Sequence, residues 1–361
     1  MALLPGLPGF AALILLAFDK APSEADLAPT VASAAATATS AATAVSNATH
    51  VASDGGLSLS TVLEAFITGI AQGSMIALVA LGYTMVYGVL KLINFAHSEV
   101  FMMSAFFGLF LIGLFGGTNH PMVAGVCGVL VSMGLAAMMG VLVERIAYKP
   151  LRRRGKSPLA RITPLVTALG MSVLLQNLAQ LLFTARYRSY PQLFSGSVAL
   201  PLGLRMGTSR IAILLTAVVV MVALELIVKR TWFGKSMRAL SSNEEAARLM
   251  GIKTSRVISM TFALGSSLAA LGAILFCLDQ SQVYPTMGMV IGTRAFVAAV
   301  LGGIGSITGA MLGGLLIGLL GELTKLTSYS GGVDVLVFVV LVVVLLVKPA
   351  GLLGSTRAEK V

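Results

Sequence analysis

Residues 62–90 read VLEAFITGIAQGSMIALVALGYTMVYGVL, a run of 29 residues in which Glu64 is the only formal charge. A helix rises 1.5 Å per residue, so about 20 apolar residues cross the roughly 30 Å hydrocarbon layer of a bilayer. Similar apolar stretches occupy 94–115, 121–143, 163–184, 210–228, 257–277, 292–322 and 333–347. Of the 361 residues, 57% are hydrophobic and 11% charged, whereas a soluble domain carries about 25% charged residues. The charges gather between the apolar stretches instead of spreading along exposed faces. The sequence therefore predicts an all-α integral membrane protein, a polytopic helical bundle of about 8 to 10 transmembrane or re-entrant segments.

The formal net charge is +11, from 25 Lys and Arg against 14 Asp and Glu. In a soluble chain such a balance would suggest nucleic acid or anionic lipid as partner. Here its distribution decides. Seven basic residues lie between Arg145 and Arg161 and seven more between Lys229 and Arg256, in short connections between apolar runs. This is the positive-inside pattern, and it makes the lipid bilayer the expected partner and nucleic acid an excluded one. With both connections cytoplasmic, 116–120, 185–209, 278–291 and the region before residue 62 lie outside. The 292–322 stretch must then enter and return as two short segments, turning at Ser306–Thr308, so that Lys348, Arg357 and Lys360 end in the cytoplasm. Arg186, Arg188, Arg205 and Arg210 stand against the trend on the outer side.

Residues 1–18 read as a signal-like or signal-anchor segment, too short and proline-containing for an ordinary span. Residues 19–61 are rich in Ala, Thr and Ser and read as a disordered extracytoplasmic linker. The membrane domain is expected over 62–350, with a cytoplasmic loop at 229–256 and a cytoplasmic tail at 351–361. Cys127 and Cys277 fall in apolar stretches as small hydrophobes, and His50, His97 and His120 are too scattered for a metal site. The sequence thus implies no metal and no directly bound cofactor. Gly155-Lys156-Ser157 and Gly234-Lys235-Ser236 are not phosphate loops, since Pro150 and Lys229 stand where the first loop glycine belongs.

Polar side chains at membrane depth carry the remaining information, because they are costly there and turn towards a bundle interior or an aqueous path. Gln72, Tyr83 and Tyr87 share one stripe of a 3.6-residue helix, and Ser172, Gln176, Gln180 and Thr184 repeat every four residues. Either stripe can line a solute pathway or hydrogen-bond neighbouring helices. Asn94, His97, Ser98 and Glu99 form a third set. If helical, Asn94 shares a face with His97 and Ser98, while Glu99 faces almost opposite His97 and must find partners elsewhere. The stretch from Gly302 to Gly314 spaces Gly305, Gly309 and Gly313 by four, with Gly314 and Gly318 in a parallel row, and Gly302 and Gly303 lead into it. Such rows permit close helix packing. The 238–251 connection suits a short amphipathic helix with Ser242 as N-cap, Glu244 and Glu245 in the first turn, Ala246 and Ala247 following, and Gly251 as terminator. Leu240, Ala247 and Met250 would then be placed to dock on a partner.

Together these motifs resemble the branched-chain amino acid ABC transporter permease family, in particular its LivH-type subunit. The resemblance rests on GYTMVYGVLKLINFAHSE at 82–99, on AVLGGIGSITGA at 299–310, and on the EAARLMG run at 245–251, which looks like the opening of the loop motif with which importer permeases meet their ATPase. The Leu-Pro of that motif's second part is absent, and Ser98 occupies a position that is glycine in most relatives. The resemblance implies a transport subunit without enzymatic activity in a bacterial inner membrane, working with a second LivM-like permease, two cytoplasmic ATPase subunits that use ATP, and an extracytoplasmic solute-binding protein. It implies branched-chain amino acids as cargo, with urea or short amides as the alternative. Gln72, Tyr83, Tyr87, Asn94, His97, Glu99 and Gln176 are the expected substrate-pathway residues. A self-sufficient, ion-driven transporter is the rival class and would need paired carboxylates at membrane depth.

Overall fold

The computed structural model describes residues 59–117, 119–153, 163–193, 196–199, 205–327 and 330–354. The expectations for 1–18, for most of 19–61, for Gly155-Lys156-Ser157 and for most of the tail lie outside the described residues. Two units part between Thr61 and Val62, and the helices after that point are built as follows.

Helix α1 runs Leu59–Leu90, α2 Ala96–Leu114, α3 Pro121–Val143, α4 Lys149–Arg153, α5 Thr163–Phe183, α6 Thr208–Arg230, α7 Trp232–Ser242, α8 Glu244–Leu249, α9 Thr254–Gln280, α10 Met287–Gly302, α11 Ile307–Lys325 and α12 Val333–Val347. Seven of the described helical stretches are long and apolar enough to cross a membrane: α1, α2, α3 continued to Leu151, α5, α6, α9 and α11. The helices α10 and α12 are apolar but shorter, at 16 and 15 residues. The all-α membrane architecture is thus the one expected, and the 292–322 stretch does divide in two. Its turn lies one step earlier than expected. Gly303 and Gly305 take φ of +103° and +96°, and Ser306 caps α11 by accepting the Gly309 N–H at 3.1 Å, so Ile307 and Thr308 are already helical.

Lipid tails are as apolar as leucine, so helices in a membrane associate by backbone proximity and polar links and gain little from burying apolar surface. Glycine supplies that proximity around α1. A Cβ on Gly73 would lie 2.7 Å from Leu315 Cα, and one on Gly314 2.5 Å from Ala77 Cα. Gly318 meets Gly73 in the same seam. A different side of α1 brings Gly82 against the Gly265 carbonyl of α9, while Val79 and Met75 meet Gly272. On α11 the second row, Gly309 and Gly313, packs on the Gly302 and Ala298 carbonyls of α10. Gly305, expected on that row, instead occupies the turn. The chain end returns to this turn, where Leu352 and Leu353 donate N–H groups to the Leu301 and Gly302 carbonyls at 2.8 and 3.0 Å.

Around this centre, α9 packs on α3 and α2, and α5 packs on α2. The outward faces of α3, α5, α6 and α12 carry Val126, Leu130, Val173, Leu215, Val222 and Val342, all exposed, as a lipid belt requires. Below α3 the helix widens to a π turn over Glu144–Tyr148, with the Lys149 N–H reaching the Glu144 carbonyl. Pro150 follows and lacks the N–H that would continue regular pairing.

Opposite the basic connections, short strands β1 (Arg188–Ser189) and β4 (Gln282–Val283) pair antiparallel, and β2 (Ser197–Ala199) pairs with β3 (Arg205–Gly207). Two of the four discordant arginines of this side, Arg188 and Arg210, find partners. Arg210 meets Asp279 at 3.4 Å and donates to Thr68 at 3.1 Å, and Arg188 lies 5.8 Å above the Phe110 ring. The charges of these two tie the outer loops to α1, α2 and α9, which gives both a structural place on this side.

Replacing Gly73 by leucine should destabilise the bundle by about 1–3 kcal/mol or more, since backbone stands where the new side chain must go. Gly134→Ala, which meets nothing within 4 Å, should be neutral or stabilising. Thermal unfolding in detergent, followed by fluorescence-detected size exclusion, measures both.

Candidate functional site

The connection between α1 and α2 is a tight turn in which Lys91 takes φ of +56°. Asn94 therefore sits before the helix, and the face expected to join it to His97 and Ser98 does not form. The Asn94 side chain instead accepts a 2.9 Å hydrogen bond from the Tyr148 hydroxyl of the π turn. His97, buried, points Nε2 at the Val79 carbonyl at 3.3 Å, beneath Gly82, where any Cβ would occupy the space of the imidazole. The resulting geometry locks α1 to α2, and the ring packs edge-on to Tyr83 at 4.7 Å.

Tyr83, Tyr87 and Asn94 line one cleft with Ile93, Phe296, Ala299, Val300 and Ile304. The Tyr83–Tyr87 stripe thus faces α10. Gln72 shares the stripe but lies roughly 16 Å further along the axis from Tyr83, half-buried beside the α1–α11 seam.

Glu99 lies on the far side of α2 from His97, as its spacing predicts. It is only 2% exposed. Its Oε1 accepts from the Ser98 and Ser172 hydroxyls, each at 3.4 Å, and its Oε2 has no partner. Gly288 of α10 stands opposite Oε2 and Gly292 opposite Ser98, each without a side chain where a Cβ would collide. The carboxylate occupies the first turn of α2, where the helix dipole favours negative charge. Gln176, one turn beyond Ser172 on α5, is half-buried and is not brought to Glu99 by any hydrogen bond among the described residues.

The basic connection is built separately. Thr231 caps α7 by accepting the Gly234 N–H at 3.3 Å. Gly234 packs against the Val228 carbonyl at the end of α6, and Arg238 donates to that same oxygen. The helix expected in the 238–251 connection is broken: α7 ends at Ser242, and Asn243, in place of Ser242, caps α8 through the Ala246 N–H at 3.0 Å. Gly251 takes φ of +82°, and the Gly251 and Ile252 N–H groups close a Schellman turn on the Arg248 and Ala247 carbonyls. Leu240 and Ala247 are buried against the chain itself, so they are not docking residues. Leu249 and Met250 stand 88% and 84% exposed at the tip, beside exposed Glu244, Glu245 and Ala246.

Residues 65–347 match the family model described as branched-chain amino acid transport system, permease component. The chain belongs to this permease family. It is 36% identical over 306 residues to the high-affinity branched-chain amino acid transport system permease protein BraD of Pseudomonas aeruginosa, covering 83% of this chain and 98% of that one. The LivH permease protein of Escherichia coli is 35% identical over 305 residues, 83% of this chain and 97% of that one. The ribose import permease protein RbsC of Bacillus subtilis is 34% identical over 140 residues, 37% of this chain and 44% of that one. No solved structure matches. As a permease of this family the chain is a transport subunit, and the motifs at 82–99, 299–310 and 245–251 fall at the α1–α2 turn, the α10–α11 turn and α8.

Several residues of this permease were not singled out by their spacing. Tyr148 and Glu144 lie in a basic stretch whose charges mask them, and Glu144, fully buried, accepts from Ser259 at 2.8 Å. Phe296 reads as an ordinary apolar residue. Only Glu144 carries a signal: an acid within a positive cluster at the end of a span. A double-mutant cycle of Asn94→Ala and Tyr148→Phe should give a coupling of about 1 kcal/mol in unfolding free energy, the contribution of one buried hydrogen bond.

Proposed function

We propose that this permease is the membrane-spanning subunit of an ATP-driven importer in the bacterial inner membrane, and that its cargo is branched-chain amino acids. It works with a second permease of LivM type, two cytoplasmic ATPase subunits and an extracytoplasmic solute-binding protein. ATP is bound and split on the ATPases, and no cofactor resides in this chain.

The observation that carries the reading is the α7–α8 knob. Two separately capped helices and a Schellman turn hold Leu249 and Met250 out of the bundle, an arrangement that exposes apolar surface for a partner. The same knob is tied inward through Gly234 and Arg238 to the end of α6, and α7 packs on α9. A partner that changes shape on binding nucleotide therefore has a rigid lever on two spans, and the coupling works when nucleotide binds one conformation better than the other. The membrane pathway then runs past Tyr83, Tyr87 and Asn94 along α10. Selectivity rests largely with the binding protein.

The complete complex in proteoliposomes should accumulate labelled leucine only with binding protein outside and ATP on the ATPase side. Leu249→Glu combined with Met250→Glu should lower uptake at least about 10-fold while leaving the permease in the membrane, because charges on a buried contact cost several kcal/mol. Uptake driven by an ion gradient through this chain alone, or uptake of urea in place of leucine, would contradict the reading.

A further inference from the structure

We infer that Glu99, with Ser98 and Ser172, forms the transit site for the ammonium group of the cargo; this rests on the amino acid reading above. Three observations converge on it. First, Glu99 differs from the other described carboxylates within or at the ends of the spans. Asp279 is paired with Arg210, Glu225 with Lys229, Asp334 with Arg294 and Glu322 with Lys325, Glu144 accepts from Ser259, and Glu64 is exposed. Glu99 is met only by two hydroxyls, and its Oε2 is buried without any donor. A carboxyl in a low-dielectric interior must either take up a proton or meet a positive charge, and hydroxyls do not supply that charge.

Second, the donor count fits. An ammonium group carries three N–H donors and no acceptor. Oε2 is one open acceptor, and the hydroxyl oxygens of Ser98, whose proton is held by the Phe95 carbonyl at 2.7 Å, and of Ser172, whose proton is directed at Oε1, offer two more beside the same carboxylate. A neutral amide would leave the carboxylate charge unmatched.

Third, the wall over Oε2 is bare backbone. Gly288 and Gly292 are the residues of α10 laid against Ser98 and Glu99, and they present no side chain that must be withdrawn. Phe296 continues the same i, i+4, i+8 row into the apolar cleft with Tyr83 and Tyr87, about 12 Å from Gly288 along the helix. The helices α5 and α10 both pack on α2 and scarcely touch each other. A small outward shift of α10 therefore opens Glu99 and the cleft to one groove, charge at one end and apolar surface at the other. That is the shape of an aliphatic amino acid.

The test uses the complete transporter complex in lipid nanodiscs without binding protein, with labelled leucine as ligand. Isoamylamine, which keeps the ammonium and loses the carboxylate, should displace leucine, and 4-methylpentanoate, which does the reverse, should not. Glu99→Gln should weaken leucine binding about 30-fold or more, the usual consequence of removing one member of a buried charge pair, and Glu99→Asp should weaken it less. Equal binding by Glu99→Gln, equal competition by 4-methylpentanoate, or no saturable binding by the wild type would overturn the site. So would failure of Glu99→Gln to assemble with the second permease, which would make the carboxylate an interface group. ATP-driven leucine uptake by the wild-type complex separates the two levels: uptake with an indifferent Glu99 removes the site and keeps the importer, whereas wild-type uptake of urea alone removes both.

Discussion

The contact on which the structure depends is the approach of α1 to α11 and α9 through glycine. In a bilayer the helices gain little by hiding apolar side chains from one another, so the bundle is held where backbones come close enough for dispersion contacts and where polar groups meet. Gly73, Gly314 and Gly318 make one seam, and Gly82, Gly265 and Gly272 the other. Because α1 is held from two sides, the turn after it is fixed, and with it Asn94, His97 and Glu99. His97 then acts as a wedge under Gly82, while its neighbour Glu99 is turned towards α10 and α5.

The two ends of the molecule are organised by different physics. On the side of the short strands, Arg210, Asp279 and Thr68 join three elements by charge and hydrogen bonding. On the basic side, caps and a positive-φ glycine shape a projecting knob whose buried face is Leu240 and Ala247 and whose exposed tip is Leu249 and Met250. A projection tied to α6 and α9, and a glycine-walled α10 beside a buried carboxylate that has no charged partner, are parts that an importer can use to turn a partner's conformational change into passage of a solute.

Much of this was legible in the sequence. Long uncharged runs fix the number and type of membrane helices because hydrocarbon leaves the backbone few other choices, and the two basic clusters mark which connections share a side. The i, i+4 glycines and the separation of His97 from Glu99 also follow from helical periodicity. What periodicity does not contain is where a helix stops. Asn94 fell outside α2 and Gly305 outside α11 because Lys91, Gly303 and Gly305 adopt positive φ, and the coupling segment broke at Asn243 because a cap there satisfies the N–H groups of a second helix. Long-range partners such as Tyr148 for Asn94 and Ser172 for Glu99 are set by packing across 54 and 73 residues of chain, and no local pattern announces them.

The most direct test of the central claim, that the α8 tip is where the ATPase grips this permease, is site-directed cross-linking. With Cys127 and Cys277 replaced by alanine, a cysteine at Met250 should cross-link to the ATPase subunit in membranes of the assembled complex, and a cysteine at exposed Met289 on α10 should not. Cross-linking at Met250 that also arrests uptake is the predicted result. Absence of a Met250 cross-link in a complex that still hydrolyses ATP and transports would contradict the account.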